Sequence, residues 1–210
     1  MIKLKENNNF YVITGGPGVG KTTLLEELKR RNYEIVPEVA RELIKEQQKD
    51  NGKALPWKNK NLYKEMMFDR SISSFEKIDR TTNKKEPIFF DRGFLDSICY
   101  ANIIQSEISD RMKSYAESWR YNKNVFMLPP WQEIYETDNE RKQDWKEAVL
   151  TFEKMSETYR NYGYEIIEIP KKSVSGRADF VLGFVEKNRI ENKNTNAQQL
   201  GFRCVRSTKQ

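Results

Sequence analysis

Lys21 and Thr22 close the stretch Gly15-Gly16-Pro17-Gly18-Val19-Gly20-Lys21-Thr22, which matches G-x-x-x-x-G-K-[ST]. That spacing suits a chain of phosphates. Gly15, Gly18 and Gly20 lack a Cβ, so the loop can wrap tightly and turn successive N–H groups toward one anion. Gly16, Pro17 and Val19 complete the cradle, and Thr23 carries it into a helix. Lys21 supplies a mobile point charge for the β- and γ-phosphates, and Thr22 a hydroxyl for Mg²⁺. A nucleoside triphosphate, ATP or GTP, is the expected ligand of residues 15–23.

Asp91 ends an apolar run, Pro87-Ile88-Phe89-Phe90-Asp91, and Arg92-Gly93 and Asp96 follow. A carboxylate at a strand end beside such a loop can join the Mg²⁺ shell or take a proton from an attacking hydroxyl. It can equally be an ordinary helix N-cap. Arg92 can hold a polar or anionic substrate bidentately. Glu38, Arg41 and Glu42 lie three and four residues apart, so all can share one helix face. They read either as a substrate site, with Glu38 as base or hydroxyl acceptor, or as a surface ion-pair cluster. Trp57 follows Leu55-Pro56 and can stack on a ring or anchor a loop. Arg141, after Thr137-Asp138-Asn139-Glu140, sits where a closing segment can neutralise charge developing during phosphoryl transfer. Lys21, Asp91, Glu38 and Arg141 are therefore the catalytic candidates. Glu38, Arg41, Trp57 and Arg92 are the substrate-binding candidates, and Thr22 and Asp91 the metal ligands.

These residues need a scaffold, and the chain alternates strand and helix signals. Strands are predicted at 10–14, 33–37, 87–91, 124–128 and 164–169, mostly as short apolar runs suited to a sheet covered on both faces. Helical spacing appears from Thr23 to Arg31, at Phe68, Ile72 and Phe75, at Trp145, Val149, Phe152 and Tyr159, and at Val174, Ala178, Val181 and Val185. The pattern predicts an α/β fold with a parallel, doubly wound sheet. Residues 1–187 read as one domain. Residues 188–210, rich in Asn, Gln and Lys as far as Gln199, read as a polar, flexible tail.

The chain has 210 residues, no histidine and two cysteines, Cys99 and Cys204. A histidine-based hydrolase is excluded, and base chemistry falls to carboxylates. Two cysteines make neither a disulfide framework nor a metal site, and without an apolar leader or spanning segment a cytoplasmic location is expected. The net charge is +6. Because Lys and Arg are interleaved with Asp and Glu, this reads as solvated helix faces around a phosphate site rather than a nucleic-acid patch.

Five motifs appear in order: G-G-P-G-V-G-K-T-T, E-V-A-R-E, F-D-R-G-x-x-D, L-P-P-W and T-D-x-E-R. Together they resemble the AAA-annotated, kinase-like P-loop ATPases. That family is similar to the nicotinamide riboside kinase domain of bacterial NAD regulators and to the TRPL-translocation-defect GTP-binding proteins. The resemblance covers about residues 10–186. It implies a P-loop NTPase fold, a nucleoside/nucleotide-kinase-like three-layer sandwich with a five-stranded parallel sheet. It also implies ATP or GTP with Mg²⁺, phosphate binding on Gly15 to Thr23, an acidic role for Asp91 and a basic one for Arg141. Asp91-Arg92 departs toward the Asp-Arg signature of thymidylate and deoxynucleoside kinases.

The expected activity is an ATP/Mg²⁺-dependent phosphotransferase acting on a small hydroxyl-bearing acceptor of nucleoside, nucleotide or nicotinamide riboside type. A nucleotide-dependent switch or slow NTPase binding a protein or anionic lipid is the alternative, and a nucleic-acid 5′-end kinase is suggested only by charge. Lys21→Ala should lower triphosphate affinity by at least about tenfold, because it removes the point charge at the β/γ-phosphates. Calorimetric titration with ATP checks this, with a melting curve as the control for folding.

Overall fold

The computed structural model describes residues 2–82, 86–134 and 145–206, with side chains through 133 and, in the last stretch, through 191. Its centre is β2 (Phe10–Gly15), buried along its whole length. Beside it lie β4 (Ile88–Asp91) and β6 (Asn124–Leu128), with β3 (Glu34–Val36) and β7 (Glu165–Glu168) outside them. The order β3-β4-β2-β6-β7 is parallel throughout. All five strands fall on the predicted spans, with ends that agree to within one residue.

Side chains alternate across the sheet, and each face has its own core. On one face Phe10, Val12 and Phe90 pack with α3 (Lys60–Thr81) and α4 (Leu95–Ile103). Phe75 is fully buried there, with ring centroids 5.1 Å from Phe10 and 5.0 Å from Tyr121. On the other face Tyr11, Ile13, Phe89 and Phe126 pack with α1 (Lys21–Arg30) and α7 (Val174–Arg206). The remaining helices are α2 (Val39–Lys49), α5 (Asp110–Ser118) and α6 (Trp145–Asn161). The stripe read at Trp145, Val149, Phe152 and Tyr159 lies on α6, but its buried face runs through Ala148, Met155 and Tyr159.

Two features carry no periodic signal in the sequence. A short parallel pair joins β1 (Lys5–Glu6) to β5 (Trp119–Arg120), and two residues per strand are too few to show alternation. Helix α7 continues to Arg206, so the boundary expected at 188 falls inside a helix. A polar segment that extends a packed helix has no apolar stripe to announce it. Among the described residues no helix is long and apolar enough to cross a membrane.

The parallel sheet brings the carboxyl ends of its three central strands together. Ile13 pairs with Asp91 and Gly15 with Leu128, so the glycine-rich loop, Asp91 and Leu128-Pro129-Pro130 emerge side by side. Carboxyl ends of such sheets are where α/β folds bind ligands. Phe75→Ala should cost about 3–5 kcal/mol, because it empties a site enclosed by five aromatic rings. Urea denaturation checks this.

Candidate active site

The loop leaves β2 at Gly15 and enters α1 through Gly20, which has φ 78° and ψ 26°. A side chain is strained in that left-handed region, so glycine is needed where the loop turns into the helix. The Gly20 carbonyl accepts from Thr23 Oγ1 at 2.9 Å and from Arg177 NH1 at 3.1 Å. Thr22 and Thr23 are exposed at the first turn of α1, where the free N–H groups and the helix dipole favour an anion.

Lys21 is buried and ion-paired with Asp91, and its Nζ is 3.8 Å from Glu38 Oε2. Glu38, at the N-cap position of α2, also receives Arg41 Nε at 3.1 Å and Arg92 Nε at 2.9 Å. Its side chain is 11% exposed, whereas that of Arg41 is 61% exposed. The cluster read from sequence as either substrate site or surface ion pairs thus has its carboxylate turned inward and its arginine outward. Glu42 is exposed.

Arg92 takes φ 70°, uncommon for a residue with a side chain. Its N–H donates to Ile13 O at 3.1 Å, tying the end of β4 back to β2. Its guanidinium lies between Glu38 and Asp96, with NH1 3.0 Å from Asp96 Oδ1. Asp96 also accepts from Thr14 Oγ1 at 2.6 Å, Tyr159 Oη at 2.6 Å and Gly93 N at 2.9 Å. Gly93 packs tightly, since a Cβ there would lie 3.0 Å from the Tyr121 ring and 3.1 Å from Val12 Cγ2, so these side chains would have to give by a few tenths of an ångström.

Burial sets the electrostatics, and neighbours modify it. It pushes the Lys21 ammonium below the ordinary lysine range, with Arg92 adding to the shift and Asp91 and Glu38 opposing it. It pushes the Asp91 carboxyl up, against the opposing charge of Lys21. Burial alone would lower Arg92, but Asp96 and Glu38 overcome it and hold the guanidinium above its usual value. These charges are therefore interdependent, and a phosphate entering the loop would compete with Asp91 for Lys21.

A cavity of about 260 Å³ opens beside this network. Glu38, Arg92 and Asp96 supply its polar side, and Tyr63, Tyr100 and Met67 its apolar one. Tyr63 and Tyr100 meet edge to face, with centroids 5.5 Å apart. Burial raises the Tyr63 hydroxyl to about 12, so it stays neutral. For Mg²⁺, the hard oxygen donors at hand are the Thr22 hydroxyl and the Asp91 carboxylate. Among the described residues no group of three or more His, Cys, Asp or Glu is arranged to enclose an ion. Mg²⁺ commonly needs only one or two carboxylates when phosphates and waters complete its shell, so the donor set fits.

The structure thus gathers Lys21, Asp91, Glu38 and Arg92, with Arg41 at the outer edge. Trp57 is 61% exposed and does not line the cavity, although its neighbour Pro56 does. Arg141 lies outside the described residues. Two contributors carry no sequence signal. Asp96 appears only as the last residue of F-D-R-G-x-x-D. Arg177, in the first turn of α7, is buried against the loop 157 positions away, with its guanidinium 5.8 Å from the Trp131 ring. Asp96→Ala should cost about 3–5 kcal/mol, because it strips a buried guanidinium of one of its two carboxylates. The urea midpoint of this variant against wild type checks it.

Several solved structures share this fold. A NadR protein solved in complex with NR superposes with TM-score 0.57 at 15% identity, over 78% of this chain and 46% of that one, so this chain spans about half its length. A deoxyadenosine kinase from M. mycoides with bound dATP gives 0.56 at 15%, covering 84% and 99%. A thymidylate kinase from Candida albicans gives 0.57 at 13%, covering 90% and 94%. No curated protein matches the sequence. Residues 10–177, most of the chain, match the family described as AAA domain, and the chain belongs to that family.

Proposed function

We propose that this protein is a P-loop phosphotransferase that moves the γ-phosphoryl group of ATP or GTP to a hydroxyl of a small acceptor. One observation carries the reading. Glu38 stands 3.8 Å from the lysine of the phosphate loop and also lines the neighbouring cavity. A single carboxylate therefore faces both the phosphate site and the space where an acceptor can sit. A nucleotide-dependent switch has no need of that second compartment.

In this reading the loop amides and Lys21 hold the β- and γ-phosphates. Thr22 and Asp91 hold Mg²⁺, which when bound screens the phosphate charge. Glu38 orients the acceptor hydroxyl and takes its proton as the new O–P bond forms and the bond to the β-phosphate bridging oxygen breaks. Arg92 keeps Glu38 in place, and Arg41 adds positive charge at the outer edge. Arg141 retains its sequence-based assignment of neutralising charge as the phosphoryl group moves. Trp57 stands near the cavity through Pro56 as a candidate ring contact. The fold of nucleoside and nucleotide kinases supports the reaction class. A cytoplasmic site of action belongs to the same proposal.

Asp91→Asn should lower acceptor-dependent turnover at least about a hundredfold while ATP affinity falls far less, because the carboxylate is assigned to the metal rather than to the nucleobase. ADP release and calorimetric ATP binding, measured on the same preparation, check this. Unchanged turnover would reduce Asp91 to a partner of Lys21.

A further inference from the structure

Three cations are buried among the described residues, Lys21, Lys64 and Arg177. Lys21 is paired with Asp91, and Lys64 lies 3.3 Å from Glu65. Arg177 is 4% exposed, and among the described residues no carboxylate offsets its burial. Its Nε is enclosed without a hydrogen-bond partner. The Trp131 ring, at 5.8 Å, is near the outer limit at which a ring face attracts a cation. NH1 donates to Gly20 O at 3.1 Å, and NH2 reaches Thr23 Oγ1 at 3.5 Å, the limit of a hydrogen bond. A carbonyl and a distant hydroxyl are neutral acceptors. They do not replace the hydration that a guanidinium loses on burial.

The position of this charge indicates what compensates it. Lys21 leans to the β4 flank of the phosphate loop, where Asp91 ends the strand. Arg177 stands on the β6 flank, which Trp131 follows. Two cations therefore bracket the loop from opposite sides. At the Arg177 side, Thr23 is exposed in the first turn of α1, so the guanidinium, a hydroxyl and the free N–H groups of a helix start converge. A phosphate chain whose β- and γ-groups lie at Lys21 carries its α-group toward this other flank. Arginine, with its fork of parallel N–H donors, suits a phosphoryl group.

We infer that Arg177, Thr23 and the first turn of α1 form an anion subsite of their own, which takes the α-phosphate of the bound nucleotide. The inference rests on the phosphate-loop part of the proposed function and not on any acceptor. Arg177 is then a binding residue whose buried charge burdens the ligand-free chain and is compensated when the phosphate arrives.

The test is displacement of a fluorescent ADP analogue from the full chain by ATP, ADP and AMP, with the guanine series in parallel. Arg177→Met should weaken all three nucleotides at least about tenfold, and by factors that agree to within about threefold, because each carries an α-phosphate. The melting temperature of the ligand-free protein should stay within about 4 °C of wild type, since the bond lost to Gly20 is offset by removal of a buried charge. A larger fall makes Arg177 a strut of the fold and overturns the inference. A loss confined to ATP and ADP does so too, because it moves the contact to the β-phosphate. Arg177→Gln is neutral but can still donate a hydrogen bond, so it separates charge from tie. It should bind as weakly as Arg177→Met, whereas Arg177→Lys should bind at least about threefold more tightly than either. Wild-type affinity in Arg177→Gln, or no gain in Arg177→Lys, overturns the inference. Inorganic phosphate is the control probe, and Arg177-dependent binding of it with AMP unaffected assigns the subsite to a free anion and overturns the inference as well. A wild-type chain that binds no nucleotide sinks the phosphate-loop reading and this inference together. A wild type that binds them, with an Arg177→Met chain that binds them equally, sinks this inference alone.

Discussion

The Arg92 guanidinium, held between Glu38 and Asp96, is the constraint around which the candidate site is organised. A cation with a side chain only 23% exposed is tolerated because two carboxylates compensate the water it has lost. Its backbone lies in the left-handed region, and the next residue, Gly93, passes close to the Tyr121 ring. Asp96 in turn gathers hydroxyls from β2 and α6 and an amide from its own loop. One arginine with its two carboxylates therefore links the ends of two strands, the start of α2 and a residue on α6.

From that lock a line of charge runs to the phosphate loop. Glu38 is bound to Arg92 on one side and lies 3.8 Å from Lys21 on the other, and Lys21 is paired with Asp91. Burial pushes Lys21 down and Asp91 up, and the attraction between the two opposes both shifts. In the proposed reaction, phosphate entering the loop would compete with Asp91 for Lys21. The two compartments, phosphate loop and cavity, are in this way electrically continuous although different elements build them.

The second anchor is Arg177. It reaches from α7 to the carbonyl of Gly20, at the turn into α1, and so fixes the loop from the opposite side of the sheet. Its Nε has no hydrogen-bond partner among the described residues, an unusual condition for a buried guanidinium. Burial lowers its proton affinity accordingly.

What the sequence determined by itself is local. The glycine-rich loop needs backbone freedom at fixed offsets, and its strand and helix flanks are adjacent in the chain, so Gly15 to Thr23 were legible together. The three central strands were legible because both faces of the sheet are covered there, which leaves short uninterrupted apolar runs such as Phe10 to Ile13 and Ile88 to Phe90. Asp91 was legible because it ends one of those runs. Only the tertiary structure decided which charges meet. Glu38 and Arg92 are 54 positions apart, Thr14 and Asp96 are 82, and Gly20 and Arg177 are 157. No periodicity links such pairs. Glu38 in isolation is an acidic residue before a helix, and Arg177 a basic residue early in one. Burial turned each from a solvated charge into one that needs a partner, and burial depends on how the sheet and its helices pack.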